Sequence, residues 1–302
     1  SEFNQHAVTS STKIKGSLYQ QRSLVALKSG KVFMAGIEPP TAFGANVNVT
    51  LDIYDPINKK FGNGISFNDA SSKYISCFEL TKDNVYCVYV SFENSFVTKL
   101  RIKHIKISNM TLRCEDKENK QIIKTFYPVF NFIKAIKFND KEAIVLFQTG
   151  NTNNPPRYGN SGKDLYYYHL EINEDSVHVK RYEYLYDGCL YREDAEDYNA
   201  DIAVLSEKRV YVTCETESGR LRGFAIYPDK EEWVEFNFNN FDAEYVKNPT
   251  FVKFEKSLGL FYTYVGVNQN SKVVYQIMNY PDCKNYRDGT ITLPKHTKTE
   301  LD

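Results

Sequence analysis

The stretch Val25-Ala-Leu-Lys-Ser-Gly-Lys-Val-Phe-Met-Ala-Gly36 has the pattern of two β-strands joined by a tight turn at residues 28–30. The same hairpin pattern recurs at residues 78–90, 136–147, 203–214 and 251–264. In each copy an alternating strand is followed by a short polar turn and a nearly continuous apolar strand. A third alternating strand and a more polar fourth stretch complete the unit. The chain is therefore built from at least five similar four-stranded repeats.

Four strands per repeat is typical of a β-propeller blade. One such sheet cannot cover both of its own faces, whereas sheets stacked around an axis bury each face against a neighbour. We therefore predict an all-β fold, a single β-propeller domain over residues 1–302 with four antiparallel strands per blade. Five blades are favoured over six, residues 1–18 are a candidate ring-closing strand or degenerate sixth blade, and residues 294–302 form a tail. The uneven spacing of the repeats leaves a pair of β-sandwiches as the alternative.

The first repeat resembles a blade of the kelch and galactose-oxidase type of propeller. The residues that carry the resemblance are Leu27-Lys-Ser-Gly-Lys-Val-Phe-Met-Ala-Gly36 and Asp52-Ile-Tyr-Asp-Pro56, where that family shows "dGkvyvaGG" followed by "vevYDp". Ile37 replaces the second glycine of the doublet and Phe61 replaces the later tryptophan. The resemblance covers the first repeat only and implies a propeller fold without implying an activity.

Composition narrows the classes of partner. The 302 residues carry 38 basic and 38 acidic side chains, and this balance argues against nucleic acid or an anionic membrane as the main partner. No apolar run approaches the roughly 20 residues of a membrane span, so direct membrane insertion is not expected. The sequence contains no C-x-x-C pair, phosphate-binding loop, dinucleotide motif, G-x-S-x-G or H-E-x-x-H. It therefore predicts no metal site and no cofactor.

Six cysteines and two N-glycosylation sequons, at Asn48 and Asn109, favour a secreted or cell-surface protein. Cys77 and Cys87 lie on the two strands of one predicted hairpin. Cys189 precedes the loop that enters the fourth repeat, and Cys214 ends the second strand of that repeat. We predict three disulfides, of which the third follows only by elimination: Cys77–Cys87, Cys189–Cys214 and Cys114–Cys283.

The two ends of a propeller differ in their connections. Loops that leave second strands or enter first strands share one end, here called the long-loop end, because these segments are long and uneven in this chain. The turns inside the first hairpins share the opposite end, here called the short-turn end, and their short charged sequences predict no site. Binding residues concentrate in variable loops on a rigid scaffold. Candidate ligand contacts at the long-loop end are Phe43, Phe92, Phe96, Arg157, Tyr158 and Asn268.

These patterns favour a non-catalytic recognition or adhesion module that binds a protein or a glycan through the long-loop end. A glycoside hydrolase-type enzyme is the first alternative, because propellers also place catalytic carboxylates in a central funnel. Candidate carboxylates near the starts of first strands are Asp69, Asp201 and Glu244. The second alternative is an intracellular kelch-like scaffold whose cysteines stay reduced.

Overall fold

The computed structural model describes most of the repeating core of the chain. The described residues are 21–37, 47–70, 74–94, 97–115, 120–125, 130–149, 164–173, 176–187, 189, 200–206, 208–216, 218–236, 245–255, 257–265, 271–279 and 285–291. They form β-strands and connecting turns, with one 3₁₀ turn at Pro228–Lys230. Among them, no helix is both long and apolar enough to cross a membrane.

Five antiparallel sheets follow one another along the described chain. The first contains β1 (Gln21–Ala26), β2 (Val32–Ile37), β3 (Val47–Asp55), β4 (Lys60–Phe61) and β5 (Ile65–Ala70). The second contains β6 (Ile75–Thr81), β7 (Asn84–Asn94), β8 (Val97–Ser108), β9 (Thr111–Cys114) and β10 (Lys120–Thr125). The third contains β11 (Phe130–Lys137), β12 (Glu142–Thr149), β13 (Asp164–Ile172) and β14 (Val177–Asp187). The fourth contains β15 (Ala200–Ser206), β16 (Arg209–Glu215), β17 (Leu221–Tyr227) and β18 (Glu232–Phe236), and the fifth β19 (Tyr245–Lys253), β20 (Ser257–Val265), β21 (Ser271–Asn279) and β22 (Asn285–Ile291).

The prediction of an all-β fold with four antiparallel strands per sheet is confirmed, with one modification. In the first two sheets, two short strands share the fourth position: β4 and β5 both pair with β3, and β9 and β10 both pair with β8. Gly62 lies at the break between β4 and β5, and a Cβ atom there would stand 2.0 Å from the carbonyl oxygen of Met110. The next residue, Asn63, donates its N–H to that same oxygen at 2.9 Å. A backbone hydrogen bond therefore joins the outer edges of the first and second sheets at the point where Gly62 has no side chain.

The opening hairpin forms as its sequence predicts. Ala26 pairs with Val32, and Gly30 closes the turn with a positive φ of 79° that glycine adopts without steric cost. β2 is almost entirely buried, as expected of a strand covered on both faces. The same holds for β16 in the fourth repeat.

Apolar side chains fill the space between successive sheets. The described residues form four clusters, one each between the first and second, second and third, third and fourth, and fourth and fifth sheets. Between the second and third sheets, Phe147 stacks on Tyr168 with ring centroids 4.9 Å apart, and Tyr168 stacks on Tyr182 at 5.0 Å. Burial raises the pKa of the Tyr168 phenol, so this side chain stays uncharged in the stack. Each sheet thus uses its neighbours to cover its faces.

Polar side chains join the first strands of successive sheets, which lie side by side in the order β1, β6, β11, β15, β19. Ser23 Oγ accepts a hydrogen bond from Cys77 N at 2.9 Å. Ser76 Oγ accepts one from Ala135 N at 2.9 Å and donates one to Ala135 O at 3.4 Å. Asp201 contacts the next strand in the same way, through Phe251 N. We call these contacts, together with the Lys134–Asp201 ion pair, the axial rungs.

Within the described part of the chain, no axial rung joins the fifth sheet to the first. Leu24 follows Ser23 in β1 and is 61% exposed, whereas its equivalents Cys77, Ala135 and Ile202 are buried. Among the described residues, β19 and β1 do not make a contact comparable to those between the other first strands. Residues 1–20 and 292–302 lie outside the described residues. The number of blades, the ring-closing segment 1–18 and the tail 294–302 therefore stay predictions.

Two of the three predicted disulfides are present. Cys77 and Cys87 are direct partners in the register of β6 and β7 and are bonded to each other. Cys189 is bonded to Cys214 at the end of β16. Cys114 lies exposed on β9, while Cys283 lies outside the described residues, so the third pairing stays a prediction.

Replacing Ser76 with alanine tests the contribution of the axial rungs. Ser76→Ala leaves the Ala135 N–H without its side-chain acceptor in a buried position, at a cost of about 1–3 kcal/mol in the free energy of unfolding. Urea denaturation followed by tyrosine fluorescence measures the change. The matched control is Ser66→Ala on the exposed side of β5, for which we expect almost no change; equal effects of the two variants would contradict a stabilising role for the rungs.

Candidate functional site

Five of the six predicted ligand contacts belong to segments that the structure does not describe. Phe43, Phe96, Arg157, Tyr158 and Asn268 lie outside the described residues. Phe92 belongs to the last part of β7, but its side chain is outside the description. The binding roles assigned to these six residues stay predictions.

Of the three candidate carboxylates, only Asp201 has a described side chain. It is the second residue of β15 and is 2% exposed. One carboxylate oxygen accepts from its neighbour Ile202 N at 2.8 Å and pairs with the Lys134 ammonium. The other accepts from Phe251 N at 2.6 Å. A single carboxylate therefore connects the first strands of the third, fourth and fifth sheets.

This geometry suits Asp201 for anchoring rather than for proton transfer. Its three donors occupy most of the acceptor positions of one carboxylate. The Lys134 side chain is 35% exposed, and its ammonium compensates the buried charge of Asp201. Asp201 fixes the start of β15 at the long-loop end.

The chain segment before β15 is also fixed at its other end. Cys189 is bonded to Cys214, and its backbone bridges to Thr216 just after β16. Residues 190–199 lie outside the described residues, but both of their flanks are attached to the long-loop end of the fourth sheet. Their sequence contains four carboxylates: Glu193, Asp194, Glu196 and Asp197.

The start of β19 also contacts the fourth sheet. Val246 N, near the start of β19, donates to Gly219 O in the connection between β16 and β17 at 3.0 Å. Glu244 lies two residues earlier in the chain, outside the described residues. Asp69 lies in β5 of the first sheet, and its side chain is not described. The structure therefore associates the flanks of Glu244 with the fourth sheet, whereas Asp69 belongs to a different sheet.

A histidine–carboxylate pair at the short-turn end has a different role. His169 Nε2 lies 3.1 Å from Glu142 Oε2, whose carboxylate also accepts from Asn139 and Lys180. Burial lowers the pKa of His169, although Glu142 opposes the effect. Partial burial acts against ionisation of Glu142, but the hydrogen bonds from Lys180, Asn139 and His169 lower its pKa. The cluster joins the turn before β12 to β13 and β14, so its role is structural.

In the described part of the chain, no group of three or more His, Cys, Asp or Glu side chains has the arrangement of a metal site.

The chain is similar to known proteins in structure but not in sequence. The chain matches no protein-family model, and no curated protein matches it in sequence. A subtype N10 neuraminidase-like protein of A/little yellow-shouldered bat/Guatemala/060/2010 has a TM-score of 0.50 at 10% identity, over 89% of this chain and 81% of that one. AofleA from Arthrobotrys oligospora has a TM-score of 0.52 at 11% identity, over 91% and 72%. The polysaccharide lyase Uly1 has a TM-score of 0.50 at 10% identity, over 85% and 57%.

The chain has a β-propeller fold. At these identities the likeness shows the fold alone. A kelch or galactose-oxidase relationship is not shown, and two of the residues that suggested it, Gly30 and Asp55, have local roles in turns. Gly30 closes the first hairpin, and Asp55 Oδ1 accepts from Ile57 N at 2.9 Å in the turn after β3. Such turn chemistry suits hairpins of many β-sheet families.

The prediction of a non-catalytic recognition module is wrong. The structures that share the fold include a neuraminidase-like protein and a polysaccharide lyase, and they favour the alternative of a carbohydrate-active enzyme. The error has a physical reason. Variable loops on a rigid scaffold serve binding and catalysis equally, so loop length alone could not separate the two.

Replacing the anchoring carboxylate tests its structural role. Asp201→Asn leaves Lys134 without its counter-charge and places an amide against two backbone N–H groups. We expect a loss of about 2–4 kcal/mol in the free energy of unfolding. This is less than for a fully buried ion pair, because Lys134 is partly exposed. The control is Asp140→Asn, which removes the exposed ion pair to Lys137 on the same strand as Lys134; there the denaturation midpoint should barely change. Similar midpoints for the two variants would count against the anchoring role.

Proposed function

We propose that this chain is a carbohydrate-active enzyme of the glycoside hydrolase type that works at the long-loop end of the propeller. The attachment of residues 190–199 at both flanks is the observation that carries the proposal. The Cys189–Cys214 disulfide holds one flank and the Asp201 rungs hold the other. Both flanks of an acid-rich stretch of sequence are thereby held at the long-loop end of the fourth sheet.

Glycoside hydrolysis needs such a concentration of carboxylates. One carboxylic acid protonates the leaving oxygen and a second carboxylate acts as base or nucleophile, at a separation of about 5–9.5 Å. Five acidic residues lie in sequence between or next to described flanks that contact the fourth sheet: Glu193, Asp194, Glu196, Asp197 and Glu244. Asp201 positions the segment and takes no part in proton transfer. The names of the structural neighbours, a neuraminidase-like protein and a polysaccharide lyase, support a carbohydrate substrate.

Single isosteric substitutions test this assignment. The purified chain is assayed for release of nitrophenol from a panel of aryl glycosides and of reducing ends from neutral and acidic polysaccharides. Among E193Q, D194N, E196Q, D197N and E244Q, we expect two variants to lose at least about 100-fold in kcat, because a positioned acid or base contributes 10²–10⁴-fold.

The control for these variants is Asp83→Asn at the short-turn end. Asp83 has a φ of 62°, a conformation that asparagine tolerates well, so the substitution should leave both folding and turnover intact. Failure of the folded wild-type chain to cleave any substrate in the panel would remove the proposal. So would five variants that all keep activity within a few-fold of wild type.

We further propose an oxidising compartment, and the two disulfides support this part of the proposal. The Cys77–Cys87 and Cys189–Cys214 disulfides are typical of secreted proteins and rare in the cytosol. Both sequon asparagines are accessible: Asn48 is exposed on β3, and Asn109 is exposed in the turn between β8 and β9. An intracellular scaffold with reduced thiols does not agree with these disulfides.

Expression through a eukaryotic secretory pathway tests the compartment. We expect peptide N-glycosidase to reduce the mass of the secreted chain by two glycans, and Asn48→Gln and Asn109→Gln each to remove one. Non-reducing peptide mapping should recover both disulfide-linked peptide pairs. Retention of an unglycosylated, fully reduced chain would contradict an extracellular location.

A further inference from the structure

A cavity of about 400 Å³ opens at the short-turn end of the fourth sheet, on the side that faces the fifth. It lies between the turn that joins β15 to β16 and the 3₁₀ turn that joins β17 to β18. Leu205 and Tyr227 supply its apolar wall, and both belong to the cluster between these two sheets. The cavity is therefore built on two rigid hairpins.

The polar lining of the cavity is strongly basic. Lys208, Arg209 and Lys230 line it together with a single carboxylate, Asp229. The Arg209 guanidinium lies over the Tyr227 ring at 5.1 Å from the ring centroid, and the Lys230 ammonium lies 5.7 Å from the same centroid. Among the described residues, none of the three cations has a carboxylate within ion-pair distance. Two cations without an ion-pair partner among the described residues thus lie against one aromatic ring.

This arrangement is complementary to an oxyanion. Arg209 begins β16 and is partly buried, with Nη1 3.5 Å from the Tyr211 hydroxyl. A guanidinium held in place offers two parallel N–H donors, which match the oxygens of a carboxylate or a sulfate. An anion between Arg209 and Lys230 removes the repulsion between them, and reduced solvent exposure strengthens the attraction. Leu205 and Tyr227 line the same cavity and supply apolar surface beside the anion position for contact with a sugar ring.

We propose that this cavity binds the sulfate or carboxylate group of an anionic saccharide. The site is separate from the proposed catalytic end. β15 has seven residues between them, which at about 3.3 Å per residue corresponds to roughly 20 Å. The cavity thus serves as a second glycan-binding position on the opposite end of the propeller, and it does not depend on whether the long-loop end is catalytic.

Calorimetric titration of the full chain with defined tetrasaccharides tests the site. We expect binding of chondroitin sulfate and hyaluronan tetrasaccharides and none of cellotetraose, with affinity that falls as sodium chloride rises from 50 to 500 mM. Comparable affinity for the two anionic probes identifies the carboxylate as the recognised group, whereas a clear preference for chondroitin sulfate identifies the sulfate. Equal affinity for cellotetraose overturns the proposal. If inorganic sulfate binds as tightly as the tetrasaccharides, the sugar ring contributes nothing to affinity, and the proposal of a saccharide ligand is wrong.

Substitutions locate the binding in this cavity. Arg209→Gln should lower the affinity for the anionic tetrasaccharides by roughly ten- to hundred-fold. This is the range expected for loss of a charge-assisted hydrogen bond. Lys230→Gln should weaken it by a smaller factor, and its exposed turn position makes misfolding no concern. The matched control is Lys82→Gln, which should keep wild-type affinity. Lys82 lies in the turn between β6 and β7, which is the counterpart in the second sheet of the β15–β16 turn. Equal affinities for the Arg209, Lys230 and Lys82 variants exclude this cavity as the site.

The turnover assay keeps this inference distinct from the proposed enzyme activity. Arg209→Gln should hydrolyse neutral aryl glycosides at the wild-type rate, because Arg209 lies at the end of the sheet remote from the proposed carboxylates. Loss of both binding and turnover in this variant, with the fold intact, would show that the cavity belongs to the catalytic site and would contradict two separate sites.

Discussion

A four-stranded sheet with apolar side chains on both faces is not stable in water by itself, and the rest of this structure follows from how that problem is solved. Each described sheet covers a face of the next, so that residues such as Phe147 and Tyr168 are buried between sheets rather than within one. Apolar packing has little directional preference. The axial rungs supply the missing specificity, because Ser23, Ser76 and Asp201 each accept from one defined backbone N–H of the following sheet.

The sequence predicts the parts of the fold that depend on local periodicity. The hairpin around Gly30, the buried second strands and the Cys77–Cys87 pair all follow from alternation and from turn residues a few positions apart. The rungs could not be foreseen in the same way. Ser76 contacts Ala135 across 59 residues of sequence, and a serine in a strand has no local signal for such a partner. The break in the outer strand at Gly62 is similar, because the backbone that excludes a side chain there belongs to the second sheet.

The candidate sites show the same division. Sequence reasoning could point to carboxylates near the starts of first strands, but it could not separate Asp201, whose acceptor positions are mostly used by neighbouring strands, from acids available for chemistry. It also assigned no function to the short-turn end, because each turn there is short and charged. The basic cavity arises from two such turns brought together: Arg209 lies beside the first, and Lys230 belongs to the second. The sequence of either turn alone does not indicate a basic cavity.

The net charge of the whole chain does not indicate the basic cavity. The chain has equal numbers of acidic and basic residues, and this balance argues against a polyanion as the main partner. Over a Debye length of about 8 Å, however, a ligand responds only to nearby charges. Carboxylates hold Lys134 and Lys180 in ion pairs, whereas Lys208, Arg209 and Lys230 surround a cavity with one acid in its lining. A neutral composition is therefore compatible with a locally positive site, since the field at a ligand depends on which cations already have partners in the fold.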